Sequence, residues 1–301
     1  MRDGTRRHRT SGPRDSFRLI ADAAQSRFAE IDGLRTHWVE EGTGDAVLLL
    51  HGWPTSSFLW RHVMPALARR NRVIAVDLPG FGRSDKPLGA SYSFGFYDRF
   101  LDAFLAEAGV EQTGLAVHDI GGPIGLHWAS RNPERVTRLA PLNTLVYSRL
   151  SAAALAFVAA ARVPGIRSAL TTPRALRFAL RFGVQNRDGL SEDTIRAYQE
   201  PFRDRESRRA LAKAGSSLHP SGLKEIEAWL PRIEIPVRIV YGKHDRILPD
   251  VERTMRKVAA DVPGDVEATA LEDCGHFLQE DRPDLVGEAL AGFFGSSPNS
   301  Q

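Results

Sequence analysis

Residues 115–126, Leu-Ala-Val-His-Asp-Ile-Gly-Gly-Pro-Ile-Gly-Leu, constrain this chain more than any other stretch. Residues 115–117 form an apolar run of the kind found in a strand buried in a parallel sheet. The run stops at His118-Asp119. Gly121 and Gly122 then allow a sharp turn, and residues 124–130 have helical spacing. Strand, tight turn and helix with one reactive side chain at the apex is the elbow geometry that exposes a nucleophile. The positions two before and two after the apex must be compact, because strand and helix meet closely there. Gly121 satisfies this fully and Val117 in part. The apical residue is Asp119. A carboxylate is a poor reagent for an amide or an ester, but it attacks an electrophilic sp3 carbon, opening an epoxide or displacing a halide. The product is an ester on the protein that water must then cleave. The same aspartate could instead cap the helix, whose N-terminus favours a carboxylate. On this stretch alone both readings stand.

The rest of the chain supplies the frame. Residues 28–31 and 34–40 alternate as two strands around a turn at Asp32-Gly33. Residues 46–50 are a continuous apolar run ending in His51-Gly52-Trp53-Pro54, and 58–68 read as a helix. A strand over 73–76 leads into the glycine-rich turn Asp77-Leu78-Pro79-Gly80-Phe81-Gly82, and a helix over 94–108 is closed by Gly109. After the Asp119 elbow comes a strand over 136–142, closing at Asn143. Strands alternating with helices predict a mostly parallel, doubly wound α/β sheet, in which ligands bind beyond the carboxyl ends of the strands. His51, Asp77, Asp119 and Asn143 all fall at such ends.

The alternation breaks after Asn143. Residues 146–220 contain no clear buried strand and read as short helices over 152–161, 174–182, 192–198 and 206–214, an inserted helical lid. By count this stretch has thirteen Arg or Lys against six Asp or Glu, which could draw an anionic substrate or simply form a solvated face. The pattern resumes with a strand over 237–240 that ends in Gly242-Lys243-His244-Asp245, a helix over 249–262, a strand over 266–271 running into Cys274-Gly275-His276-Phe277, and a closing helix over 283–294. The domain reading is therefore a core over 27–145 and 221–295, a lid over 146–220, and a basic, disordered tail over 1–26. Residues 1–18 hold six arginines and two acids, so the net charge of +3 belongs to the tail. The tail is short and lacks interleaved aromatics, which gives no reason to expect nucleic acid as a partner. No apolar run reaches the length of a membrane span, and the first 25 residues lack the apolar centre of a signal peptide, so no membrane partner is expected. A lone cysteine forms no internal disulfide and suits a reducing cytoplasm. No His/Asp/Glu spacing suggests a metal, and no cofactor is implied.

Three residues line up with the elbow. Asp119 sits at its apex, Asp245 follows a late strand, and His276 follows the last one. Nucleophile, acid, histidine is the chain order of a hydrolase triad. His276 would activate water, and Asp245 would fix its tautomer and stabilise the imidazolium. The tetrahedral oxyanion formed during ester cleavage needs backbone N–H donors; the residue after the nucleophile, Ile120, and the loop residue Trp53 are placed to supply them. His51 is expected to tie its loop in place, His118 to point to the opposite side of its strand, and Cys274 to be a small buried residue.

These motifs together resemble the α/β-hydrolase superfamily over residues 27–295, within the aspartate-nucleophile branch of epoxide hydrolases and haloalkane dehalogenases. The resemblance rests on His-Gly-x-Pro, Asp-x-Pro-Gly-x-Gly-x-Ser, His-Asp-x-Gly-Gly, Gly-x-x-Asp and Gly-His-Phe. The branch implies two alternative leaving-group devices. Dehalogenases of this kind hold the halide with paired N–H donors, one on a Trp directly after the nucleophile. This chain has Ile120 there, and the Ile side chain has no polar hydrogen. Epoxide hydrolases use lid phenols as proton donors, and Tyr147 and Tyr198 stand early and late in the lid. The reading is thus an epoxide hydrolase acting on a small, largely apolar substrate with water as co-substrate. Haloalkane dehalogenase is the alternative; the runs over 54–61, 131–135 and 277–281 look dehalogenase-like, but they describe ancestry and packing more than chemistry. A non-catalytic ligand-binding protein of the same fold is the alternative of another class.

Overall fold

The computed structural model describes residues 24–149 and 151–295. The expected tail lies outside the described residues as far as residue 23. Gln25 and Ser26, assigned above to the tail, belong to a strand instead.

Eight strands form one sheet: β1 (Gln25–Ile31), β2 (Leu34–Glu41), β3 (Asp45–Leu50), β4 (Asn71–Val76), β5 (Thr113–Asp119), β6 (Val136–Thr144), β7 (Val237–Gly242) and β8 (Val266–Leu271). Their order is β1-β2-β4-β3-β5-β6-β7-β8. β2 is antiparallel to both its neighbours, and every pairing from β4 to β8 is parallel. The expected mostly parallel α/β sheet is therefore present. The central strands are apolar throughout because both faces are covered. Along β3, Leu48 and Leu50 enter one core cluster, and Val47 and Leu49 enter the other. β4 splits the same way, with Ile74 and Val76 on one side and Val73 and Ala75 on the other.

The chain leaves β3 towards β4 on one side and returns to β5 on the other. β3 and β5 therefore flank the point where the winding reverses, where crevices open in sheets of this type. Leu50 pairs with Val117 in parallel register, so the loops after β3 and β5 leave the sheet side by side. Gly242 pairs with Leu271, which does the same for the loops after β7 and β8.

The helix expected over 58–68 is not continuous. It divides into a 3-10 turn, Ser57–Trp60, and a short helix, Met64–Leu67. Pro65 has no N–H to bond back across the junction, and the carboxylate of Asp77 takes the N–H of Ser57 at 2.7 Å. Between β6 and β7 the chain inserts helices Ala152–Arg162, Pro164–Leu170, Pro173–Gly183, Glu192–Gln199 and Arg205–Ala214, followed by Pro220–Trp229. The short helix Pro164–Leu170 and the helix Pro220–Trp229 escape the sequence reading. Each starts on a proline, which suits a first helical turn but reads as a break. No helix among the described residues is long and apolar enough to cross a membrane.

Leu49 is fully buried at the centre of β3, whereas Leu155 on the inserted helices is 55% exposed. Leu49→Ala is expected to lower the unfolding free energy by about 2–5 kcal/mol, and Leu155→Ala to change it by less than about 0.5 kcal/mol. Urea unfolding followed by circular dichroism measures both, and equal effects would contradict this placement of the core.

Candidate active site

Asp119 ends β5 with φ of +50°, in the left-handed region that L-residues avoid. The helix Gly121–Arg131 starts two residues later. Glycine is obligatory around this turn because backbone packs on backbone. A Cβ on Gly121 would lie 2.5 Å from the carbonyl oxygen of His51, and one on Gly52 would lie 2.3 Å from Cβ of Asp119. The hydroxyl of Thr144, at the end of the neighbouring strand, donates to the carbonyl of Asp119 at 2.6 Å.

The side chain that emerges is held through Oδ1 and faced by His276 at Oδ2. The backbone N–H of Trp53 donates to Oδ1 at 2.7 Å, and the N–H of Ile120 also bonds to this carboxylate. Nε2 of His276 stands 3.4 Å from Oδ2. On the far side of the ring, Nδ1 of His276 meets Oδ2 of Asp245 at 2.8 Å. Asp245 also accepts the backbone N–H groups of Ile247 at 2.8 Å and Leu248 at 2.7 Å through Oδ1, and the amide of Asn143 at 2.8 Å through Oδ2. The structure thus brings Asp119, His276 and Asp245 into one line, with the N–H groups of Trp53 and Ile120 on the same carboxylate.

The electrostatics follow from this packing. Burial alone would raise the pKa of Asp119, but the His276 ring beside it brings the value below the ordinary carboxylate range. Burial likewise opposes charge on His276. The carboxylates of Asp245 and Asp119 overcome it and hold the imidazole up at about 10. His118 is driven down to about 3, chiefly by burial. It is neutral, and its Nε2–H donates to the carbonyl of His276 at 2.9 Å. His51 does what the sequence suggests. Its Nε2 accepts the N–H of Leu78 at 3.1 Å and its Nδ1 lies 3.0 Å from the carbonyl of Gly52, which fixes the loop. Burial pushes the Cys274 thiol up to about 12, so it carries no thiolate at neutral pH. Among the described residues, no group of three His, Cys, Asp or Glu side chains could hold a metal ion.

The family model for the alpha/beta hydrolase fold matches residues 45–283. The chain is 30% identical over 299 residues to the haloalkane dehalogenase of Agrobacterium fabrum, covering 94% of this chain and 96% of that one. It is 32% identical to the haloalkane dehalogenase of Sphingobium indicum, covering 89% and 95%. The crystal structure of haloalkane dehalogenase DbeA from Bradyrhizobium elkani superposes with a TM-score of 0.80 at 29% identity, covering 90% of this chain and 97% of that one. The chain belongs to the α/β-hydrolase superfamily, in its aspartate-nucleophile, dehalogenase-like branch.

Two expected members of the site of this hydrolase are elsewhere. The hydroxyl of Tyr147 donates to Asp261 at 2.9 Å, with Lys257 over its ring at 4.1 Å. The hydroxyl of Tyr198 donates to Glu280 at 2.5 Å, and its ring packs edge-on against Phe58. A phenol has one proton to give, and each of these is already given to a carboxylate. The paired lid donors required for epoxide opening are therefore not assembled. Conversely, the sequence reading left out Thr144 and gave Asn143 and His118 no role toward the triad, whereas Asn143 braces the acid, Thr144 the elbow and His118 the histidine. The available signal was a polar pair, Asn143-Thr144, ending an otherwise apolar strand at the edge where the other site residues lie.

The His276 pKa carries a stability prediction. It is raised above the unfolded value of 6.5 to about 10, so its ion pairing stabilises the fold fully below about pH 6.5 and is lost as pH rises through about 10. The difference in unfolding free energy between wild type and His276→Gln should shrink steadily over that interval in urea titrations. A difference that stays constant would show that the imidazole is not charged in the native state.

Proposed function

We propose that this protein hydrolyses a carbon–halogen bond through an ester on Asp119. The observation that carries the reading is the carboxylate of Asp119. It is presented at a strained elbow, held through Oδ1 by the Trp53 N–H and faced through Oδ2 by His276. Haloalkane dehalogenases at about 30% identity over nearly the whole chain support halide displacement over epoxide opening. The engaged hydroxyls of Tyr147 and Tyr198 point the same way.

The steps follow from the geometry. Oδ2 attacks the carbon bearing the halogen, the C–O bond forms, and the halide leaves with the bonding pair. Alkylation removes the negative charge of Asp119, one of the two charges that keep His276 protonated. The imidazole pKa therefore falls at the stage when a base is needed. His276 Nε2 takes a proton from water, and the resulting hydroxide adds to the carboxyl carbon. The tetrahedral oxyanion rests on the N–H groups of Trp53 and Ile120. Collapse breaks the bond from the carboxyl carbon to the alkyl oxygen. The departing alkoxide takes the proton of the Asp119 carboxyl so formed, and the carboxylate is restored beside a reprotonated His276. The proton that His276 lost on alkylation is the one released with the halide. Asp245, whose other partners are the neutral donors of Asn143, Ile247 and Leu248, stabilises the imidazolium. The helices between β6 and β7 serve as the lid over a small, largely apolar substrate.

Intact-protein mass spectrometry of His276→Ala after exposure, separately, to 1-bromohexane and styrene oxide tests this directly. An adduct on Asp119 from the bromoalkane alone is expected. An adduct from the epoxide alone would overturn the proposal in favour of epoxide opening, and none from either would remove the nucleophile role.

The leaving group has Trp53 as an indole donor candidate but no donor side chain at Ile120. Ile120→Trp adds one where the family carries it. Its rate of chloride release from 1-chlorohexane is expected to rise at least fivefold, the order of one added hydrogen bond. An unchanged rate would mean that the halide does not sit beside residue 120.

A further inference from the structure

The run over 277–281, similar to dehalogenases in the sequence reading and assigned there to packing, makes polar contacts that cross to the inserted helices. The carbonyl of Gly183, at the end of the helix Pro173–Gly183, accepts the backbone N–H of His276 at 2.6 Å and that of Phe277 at 3.2 Å. Three glycines make this approach possible. A Cβ on Gly183 would stand 2.4 Å from the Phe277 ring, one on Gly275 would stand 2.3 Å from the carbonyl of Gly183, and one on Gly242 would stand 2.3 Å from the carbonyl of Gly275. The carboxylate of Asp281, only 7% exposed, then joins both sides. It accepts the N–H of Gly275 at 2.7 Å. From the insertion it accepts the N–H of Gln185 at 2.9 Å and that of Asn186 at 2.8 Å. Arg246, beside Asp245, grips the same segment through the carbonyl of Val184 at 3.2 Å and the side chain of Gln185 at 2.6 Å.

We propose that residues 183–186 of the insertion are part of the mount of His276, and that Asp281 is a positioning residue that clasps the insertion and the histidine loop together. His276 is then in place to activate water only when the inserted helices are docked. Its backbone is held at both ends by separate parts of the fold, at N–H by Gly183 and at C=O by His118. A buried carboxylate that gathers N–H groups from two chain segments loses its purpose if either segment withdraws. This coupling confines water activation to the state in which the insertion is docked on the His276 loop.

The inference rests on the two-step reading above, in which His276 acts on the ester and not in its formation. The test is quenched single-turnover mass spectrometry of Asp281→Asn with 1-bromohexane. Ester formation is expected within about twofold of wild type, and ester decay at least tenfold slower, so that alkylated protein accumulates. Gly183→Ala, which presses on the Phe277 ring without touching any charge, should give the same pattern and serves if Asp281→Asn does not fold. Equal slowing of both steps would mark Asp281 as merely structural, and slowing of neither would overturn the proposal. A second readout is the downfield proton resonance of His276 Nδ1–H on Asp245. It is expected to move or exchange faster with solvent in both variants, and an unchanged signal would count against the mount. If wild type and His276→Ala form no ester at all, the two-step reading fails on its own, and this resonance alone decides the positioning role.

Discussion

The arrangement depends on one interaction set, the hydrogen bonds that hold Asp119 at a positive φ where the sheet reverses its winding. A left-handed L-residue costs about 1–2 kcal/mol, so the turn persists only because its surroundings require it. Thr144 takes the carbonyl, Trp53 takes one carboxylate oxygen, and Gly52 and Gly121 remove every side chain that would hold the two loops apart. The parallel register of Leu50 with Val117 puts those loops side by side in the first place. A carboxylate in this position meets a helix N-terminus and two N–H groups, and it stays ionised although burial works against it.

The second half of the site is electrostatic. His276 lies between two acids, and Asp245 is saturated by Asn143 and the backbone of 247–248, so its charge is fixed in place. The imidazole responds to the state of Asp119 because that is the one neighbouring charge that a reaction at the elbow would change. Positioning of the ring extends outward through His118 and Gly183 to the inserted helices. The insertion is thus a structural neighbour of the histidine.

Much of this was legible in the residues. The strand Val266–Leu271 and the helix Pro283–Phe294 have the bounds that periodicity predicts. Both are uninterrupted patterns bounded by turn residues. Asp119, Asp245 and His276 could be picked out because each follows an apolar run that has to be a buried strand. The helix over 58–68 could not be read correctly. Its apolar spacing is helical, but the pull on Ser57 comes from Asp77, twenty positions away at the end of β4. The tyrosines failed for a related reason. Chain position places a phenol in the insertion, whereas its direction depends on partners: Asp261 for Tyr147, and Glu280 for Tyr198.

The sequence by itself determined the sheet, the elbow and the identity of the three residues in line. Apolar periodicity and the absence of a Cβ are properties of the chain that no partner has to supply. Only the tertiary structure decided which polar side chains share a site. It committed the hydroxyls of Tyr147 and Tyr198 to Asp261 and Glu280 and recruited Asn143, Thr144 and His118. It also tied residues 183–186 to the His276 loop through Asp281. The hydrogen bonds of Thr144, Asn143 and His118 join residues 25, 102 and 158 positions apart, and their strength depends on distances of a few tenths of an ångström. Those distances exist only once the core has closed.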